Sequence, residues 1–311
     1  MIATILDGLL PVAFVVMLGW FAGRLSVLKH DDAGVIATYV IRFALPFSLF
    51  VGASRTAPHD LLNFGLLGSI AIGLIGTYAA AMLVGRFAFR HDLRTSAIQA
   101  LVCSFPDMAY FAAPVLAALF GPAGFLAVLL GNLVVMLVLL PATIILTQLG
   151  YPEAKQAGAS VLRISVVSAV TNPIVWLPMF GVVLSFSGIS LPHPLALSVD
   201  TVAKSAGGTS LFALGLMLYG EPVRINANVV ANLALKNVLQ PALMFGAAII
   251  LIAAGPFREH ALFTGAAPAA TATTMFALKN RVYTAEATST VFASTVISIV
   301  MTAILIALVQ P

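Results

Sequence analysis

An aspartate between two prolines marks the chemically most unusual stretch of this sequence. Residues 104–114 read SFPDMAYFAAP, and most of their side chains are apolar enough to lie within a membrane. Pro106 and Pro114 each remove a backbone donor and clash with the preceding helical turn, so we expect both to interrupt a helix. Interrupted backbone at membrane depth is tolerated only where protein or a wet cavity surrounds it. Asp107 therefore indicates a functional site, because acids inside a bilayer are costly.

Three roles for Asp107 are compatible with the sequence. It could be a proton site, since burial favours the neutral acid, which can donate a hydrogen bond to an anion. It could instead neutralise one of the cations that lie inside apolar segments, namely Arg42, Lys204 and Lys236. A third role is to line a water-filled cavity without any part in coupling. The sequence leaves these alternatives open.

The composition places the chain in the membrane class. Of its 311 residues 61% are hydrophobic and 8% are charged, and the mean hydropathy is +1.08. A soluble domain carries about 25% charged residues. The net charge of +4 would suit a nucleic-acid partner. The basic residues lie between apolar segments rather than on one face, so we predict no nucleic-acid binding.

Apolar runs of about 20 residues predict an all-α membrane protein with ten spanning helices. The predicted spans cover residues 4–23, 33–53, 62–88, 94–120, 122–148, 162–186, 194–220, 227–254, 258–280 and 284–309. Loops on one side of these spans hold ten Lys and Arg residues, whereas the other side holds only Arg55 and Arg258. Since cationic loops stay in the cytoplasm, both termini are predicted to face away from it. The membrane would be a plasma membrane, the inner membrane in a bacterium.

A constant offset of 162 residues relates the two halves of the chain. It maps Pro106 onto Pro268, Gly19 onto Gly181, Arg42 onto Lys204 and Ser48-Leu49-Phe50 onto Ser210-Leu211-Phe212. We therefore predict one five-helix repeat over residues 1–148, a cytoplasmic linker over 149–161 and a second repeat over 162–311. An odd number of spans per repeat inverts one half relative to the other, which is a plan of secondary transporters.

This plan predicts a binding site where interrupted spans four and nine cross near the midplane. Span nine is weakened at Pro268 and continues through Thr271, Thr273 and Thr274. Their hydroxyl groups could bind a ligand or freed carbonyl groups. The alternative is a proline kink in which the threonines bond back to their own helix.

Other candidate residues also have two interpretations. Arg42 and Lys204 could attract the carboxylate groups of a substrate, or they could extend to the interface as anchors. Lys236 lies nearer a predicted cytoplasmic end, and we expect it to be an anchor. Tyr110 could form an aromatic wall for a substrate or could simply pack. No metal site is predicted, because no histidine pairs with a cysteine or an acid at ligand spacing. The chain also lacks a P-loop and a metalloprotease HExxH pattern, so neither ATP use nor hydrolysis is indicated, and no catalytic residue or cofactor is predicted.

With these residues in view, the chain resembles the auxin efflux carrier family over nearly its whole length. The family pattern Pro-Asn-x-x-x-x-Gly-x-Pro is similar to the stretch from Pro106 to Pro114, with Asp107 in place of the asparagine and Ala112 in place of the glycine. A second family pattern, a proline-rich break followed by Phe-Ala and a charged residue, is matched by the following positions: Pro268, Phe276, Ala277 and Lys279. Thr273 stands where that break has a second proline.

The resemblance implies a scaffold of spans one, two, six and seven, and a transport part of spans three to five and eight to ten that moves as an elevator. It also implies small organic anions as substrates, such as malonate and related dicarboxylates or indole acetate. The expected function is thus secondary transport of such an anion, with proton coupling through Asp107 as one option and sodium as a less favoured coupling ion. Alternatives are a sodium-coupled symporter of the bile-acid type, and a channel or sensory membrane protein. The lipid bilayer is an expected partner, and the scaffold helices could form a homodimer.

Overall fold

The computed structural model describes residues 2–29, 32–55, 57–58, 62–150, 173–219, 224–252 and 255–309. These residues are helical throughout their regular structure, apart from one isolated β-bridge. The predicted all-α class is therefore confirmed. The predicted linker 149–161 lies outside the described residues apart from its first two positions.

The α-helices, numbered in chain order, are α1 Ile2–Arg24, α2 Asp32–Tyr39, α3 Leu45–Arg55, α4 Phe64–Leu83, α5 Leu93–Ser104, α6 Ala113–Phe120, α7 Gly124–Val134, α8 Leu140–Leu149, α9 Pro173–Ser187, α10 His193–Leu218, α11 Ala227–Ala234, α12 Gln240–Leu251, α13 Phe257–Ala266, α14 Ala272–Asn280 and α15 Thr284–Val309. Wider π-helical turns occur at Val40–Ala44, Val84–Ala88, Met108–Ala112, Val135–Leu139 and Leu235–Leu239. Several of these turns join two α-helices into one longer rod, as Leu235–Leu239 joins α11 to α12.

Four of these rods are long and apolar enough to cross a membrane. They are Phe64–Ala88, Gly124–Thr147, Ala227–Leu251 and Thr284–Val309. Each coincides with a predicted span, because a run of about 20 apolar residues matches the thickness of the hydrocarbon layer. The protein is an integral membrane protein.

Helix starts outside the apolar layer are fixed by side-chain caps. Asp92 accepts a hydrogen bond from the backbone N–H of Thr95 at 3.0 Å, and Asn226 caps α11 in the same way. Partial burial of Asp92 opposes its ionisation. The hydrogen bonds from Thr95 and the charges of Arg94 and His91 outweigh that effect and hold the pKa of Asp92 below its usual value.

Glycines allow the closest helix contacts. Helix α1 packs against α10, and α9 packs against α3. A Cβ atom added at Gly19 in α1 would lie 2.1 Å from the carbonyl oxygen of Phe212 in α10. A Cβ atom at Gly181 in α9 would lie 2.6 Å from the carbonyl oxygen of Phe50 in α3. Both contacts exclude any side chain, and small residues have this role in membrane helix packing.

The interior of the bundle combines an apolar core with an unusual share of polar side chains. Phe111, Leu116 and Leu126 belong to the largest buried apolar cluster. Fully buried side chains that carry amide or ammonium groups are Gln99, Asn232, Lys236 and Gln240. Large apolar residues such as Ile250, with 83% exposure, point outward instead. Since lipid is as apolar as these exterior residues, the polar interior indicates where the function lies.

Candidate functional site

Two interrupted helices meet inside the bundle. Helix α5 ends at Ser104 and helical structure resumes at Met108, whereas α13 ends at Ala266 and α14 begins at Ala272. We call residues 105–107 and 267–271 the paired breaks.

The backbone groups of the paired breaks bond to one another. The N–H of Asp107 donates to the carbonyl oxygen of Pro268 at 2.7 Å, and the N–H of Ala270 donates to that of Phe105 at 2.8 Å. An isolated antiparallel bridge joins Pro106 to Ala269. Each break thus satisfies polar groups that the other loses by leaving the helix, as a buried backbone requires.

The two prolines of the SFPDMAYFAAP stretch act differently. Pro106 lies in the break, as predicted. Pro114 lies in the first turn of α6, directly after the π-helical turn Met108–Ala112, and the helical structure continues through it. The prediction that Pro114 interrupts the helix is therefore wrong. The wider π-helical turn directly before Pro114 interrupts the regular α-helical hydrogen-bond pattern there, so the proline is accommodated without a gap in the helix.

Lys236 is fully buried beside the paired breaks rather than anchored at an interface. Its Nζ atom donates to the carbonyl oxygens of Gly265 at 3.1 Å and Ala267 at 2.6 Å, and to Oε1 of Gln240. Asp107, which is 2% exposed, lies within electrostatic range of this ammonium group. The prediction of an anchor at Lys236 is wrong, because the ends of broken helices offer buried acceptors that a continuous helix lacks.

Gln240 links the first break to the ammonium group of Lys236. Its Nε2 atom donates to the carbonyl oxygen of Ser104 at 2.7 Å, at the end of α5. Lys236 and Gln240 lie four residues apart on the rod Ala227–Leu251. One rod therefore supports the C-terminal ends of both α5 and α13.

The threonines after the second break bond to their own helix. The hydroxyl groups of Thr273 and Thr274 donate to the carbonyl oxygens of Ala270 and Thr271, both at 2.7 Å. This geometry favours the alternative in which Thr273 and Thr274 bond back to their own helix rather than to a ligand. Thr271 is buried in the second break itself.

A cavity of about 290 Å³ with charged residues in a mostly apolar lining lies between α3, α10 and the start of α6. Its charged lining residues are Arg55, Asp200 and Lys204, and Pro114 lies on its wall. Nη2 of Arg55 lies 2.9 Å from Oδ1 of Asp200, and Nζ of Lys204 lies 4.0 Å from Oδ2 of Asp200. The two cations exceed the one acid, and both are more than half exposed.

The structure thus separates the predicted site residues into groups. Asp107, Pro106 and Pro268 meet at the paired breaks, whereas Lys204 and Pro114 line the cavity. Arg42 is exposed in the π-helical turn Val40–Ala44. The side chain of Tyr110 lies outside the described residues.

Sequence reasoning missed Arg55 and Asp200 in the cavity and Gln240 at the breaks. Arg55 and Asp200 are 145 positions apart, so no local pattern could pair them. Gln240 carried a signal, because it follows Lys236 by four residues and so lies on the same side of a helix.

An apolar helical bundle with paired helix breaks and a charged cavity has the construction of a membrane transport protein. The model of the family described as "Membrane transport protein" matches residues 4–306. The chain belongs to this family, and the resemblance to the auxin efflux carriers is confirmed.

Relatives cover most of the chain at low identity. A protein of Escherichia coli K12 named "Uncharacterized transporter YfdV" is 24% identical over 307 residues, which cover 97% of this chain and 96% of that protein. A protein of Rhizobium meliloti named "Putative malonate transporter" is 23% identical over 302 residues, with 93% and 91% covered. A mouse protein named "Lysosomal cholesterol signaling protein" is 23% identical over 259 residues, which cover 75% of this chain and 28% of that protein.

Proposed function

We propose that this protein is a secondary carrier of small organic anions that works by elevator-type alternating access. The single observation that carries the proposal is the position of the charged cavity. It lies between α3 and α10 on one side and the start of α6, just beyond the first break, on the other. In this proposal α3 and α10 belong to the scaffold, and α5, α6, α13 and α14 belong to the transport part.

Two reciprocal contacts support the inverted repeat of residues 1–148 and 162–311. Gly19 packs against Phe212, and Gly181 packs against Phe50. The offset of 162 maps Gly19 onto Gly181 and Phe50 onto Phe212, so the two contacts are equivalent in the two repeats. The ends of α5 at Ser104 and of α13 at Ala266 obey the same offset. Equivalent contacts of this kind are expected if ten spans form two inverted repeats with interrupted crossover helices four and nine.

The charges of the cavity favour a carboxylate substrate. Arg55 can bind a carboxylate through two parallel hydrogen bonds, and Lys204 adds a second cation within reach of Asp200. With Asp200 bonded to Arg55, the lining keeps one positive charge in excess. The proposed substrate is a dicarboxylate such as malonate, the substrate for which the Rhizobium meliloti relative is named.

Asp107 is the proposed link to protons. Its burial beside Lys236 supports a charge-compensating role as well. A proton on Asp107 would change the charge of the paired breaks by one unit, and transport would then depend on pH.

The direct test is counterflow of labelled malonate in proteoliposomes. A carrier accumulates label against excess unlabelled malonate on the other side, whereas a channel does not. We expect Lys204→Ala to reduce this exchange at least about tenfold, in line with the loss of one charge-assisted contact. Lys29→Ala, which removes a cation from the exposed end of a loop, is the matched control. Full counterflow by Lys204→Ala, or none by the unmodified protein with any mono- or dicarboxylate, would contradict the proposal.

The coupling ion is tested in the same vesicles. We expect faster malonate exchange at pH 5.5 than at pH 7.5, and no such difference in Asp107→Asn. Replacement of sodium by choline should leave the rate unchanged. A sodium requirement would instead favour the symporter of the bile-acid type.

A sensory role is the second candidate, favoured by the similarity to the mouse signaling protein. A sensor would bind its ligand at the same cavity without exchange across the membrane. Saturable malonate binding to the purified protein without counterflow would support the sensory role and refute the carrier.

A further inference from the structure

A buried ammonium group occupies the point where the first halves of both interrupted helices end. The Nζ atom of Lys236 has three oxygen acceptors, namely the carbonyls of Gly265 and Ala267 and the side chain of Gln240. Gln240 in turn bonds to the last residue of α5, Ser104. The side chain is fully buried, so water does not compete for these acceptors.

The surroundings have the electrostatics of a cation site. The C-terminal end of a helix carries roughly half a negative charge, and α5 and α13 both end here. Asp107 lies within electrostatic range as well. In transporters with discontinuous helices, unwound carbonyl groups and the C-terminal ends of half-helices coordinate the coupling cation. Here those acceptors are directed at an ammonium group of the chain itself.

The backbones of the rod Ala227–Leu251 and of the C-terminal end of α13 approach each other closely. A Cβ atom added at Gly265 would lie 2.6 Å from the Cα atom of Pro241, which follows Gln240 directly. Only glycine allows α13 to approach the rod this closely. A lysine that served as an interfacial anchor would extend toward headgroups, and would need neither this approach nor three buried acceptors.

We propose that the ammonium group of Lys236 is a tethered cation that permanently fills a monovalent-cation site at the paired breaks. The unmodified protein then binds no sodium at this point. Removal of the side chain leaves a site of carbonyl and amide oxygens that accepts sodium or a small primary alkylammonium ion. This inference concerns the cation site and does not depend on which anion the protein carries.

The test is thermal unfolding of detergent-purified protein in choline, sodium or n-propylammonium chloride at equal ionic strength. We expect the Tm of the unmodified protein to be the same in all three salts. In choline, the Tm of Lys236→Ala should be lower than that of the unmodified protein. This Tm should rise by about 3 °C or more in sodium and in n-propylammonium. The latter has the size and charge of the deleted side-chain end. Lys204→Ala, which removes an exposed cation, should show no salt-specific recovery.

Two results would overturn the proposal. One is a sodium-specific rise of Tm in the unmodified protein. The other is a folded Lys236→Ala protein whose Tm is the same in all three salts. If Lys236→Ala does not stay folded in choline, the proposal is tested instead by purifying this variant in n-propylammonium or sodium. Recovery of a monodisperse protein supports the proposal, and aggregation in both salts refutes it.

Discussion

A methyl group added at Gly19 would strike the backbone of the neighbouring helix. The Cβ atom of Gly19→Ala would lie 2.1 Å from the carbonyl oxygen of Phe212, whereas real Cβ contacts are almost never shorter than 3.0 Å. The two atoms must therefore separate by at least about 0.9 Å, the difference between these distances. Because the obstacle is backbone, α1 or α10 has to move, and a change of side-chain rotamer cannot relieve the contact.

The size of the destabilisation follows from a comparison of Gly19→Ala with a second glycine-to-alanine variant that has the same gain in helix propensity. Overpacking of this kind costs about 1–3 kcal/mol, whereas the change from glycine to alanine inside a helix gains up to about 1 kcal/mol. Gly246→Ala in α12 has the same gain, but its Cβ atom meets nothing within 4 Å. The difference between the two variants therefore isolates the overpacking cost. We expect Gly19→Ala to melt at least about 3 °C below Gly246→Ala.

The assay is thermal unfolding in detergent, followed by size-exclusion chromatography of the soluble fraction. The steric argument also predicts an order. Gly215→Ala, with a contact of 1.9 Å to the carbonyl oxygen of Val16, should be at least as damaging as Gly19→Ala, and Gly181→Ala, with a contact of 2.6 Å, should be milder. Equal Tm values for Gly19→Ala and Gly246→Ala would refute the close approach of α1 and α10.

Three further perturbations test the supports of the paired breaks and one helix cap, each by the same Tm measurement. Gln240→Leu leaves the carbonyl of Ser104 without its donor and should lower the free energy of unfolding by about 1–3 kcal/mol. An unchanged Tm would show that Gln240 does not stabilise the paired breaks. Ser294→Ala removes the hydroxyl group that accepts from the N–H of Ala269 at 3.1 Å, with a similar cost, and a Tm equal to that of the unmodified protein would contradict this. Asp92→Ala should cost about 0.5–2 kcal/mol at pH 7. The pKa of Asp92 is lower in the folded than in the unfolded protein, so its stabilisation is present above about pH 4 and is lost as the pH falls through the folded value. The Tm gap between Asp92→Ala and the unmodified protein should therefore close in acid, and a gap that persists would argue against the cap.

The sequence predicted helix bounds and break positions well where one-dimensional signals exist. The predicted span 284–309 coincides with α15, because its apolar run is long and ends abruptly. Pro106 and Pro268 located both breaks, because the loss of a backbone donor acts locally. The inverted repeat, the orientation in the membrane and a homodimer stay predictions.

The charges of the site were harder to predict. An isolated lysine in an apolar segment is costly, which favours an interfacial position for Lys236. Only the three-dimensional meeting of two helix ends supplies the acceptors that make its burial tolerable. The pair of Arg55 and Asp200 depends on the packing of α3 against α10, and tertiary packing of this kind leaves no periodic signal in a sequence.

The π-helical turn Leu235–Leu239 has a consequence for insertions and deletions. Asn232 bonds to Thr290 on one side of the rod, and Gln240, eight residues later, bonds to Ser104. A straight α-helix would rotate two residues at this spacing by about 80° relative to each other. The wider turn takes up part of that rotation, so one rod can present both amides to the interior. A deletion of the exposed Val238 would remove the extra residue of the wider turn and leave a plain α-helix, in which Asn232 and Gln240 keep nearly their present relative orientation. A single-residue deletion here should therefore be better tolerated than one in the α-helical part Gln240–Leu251, where it would rotate every later residue by about 100°.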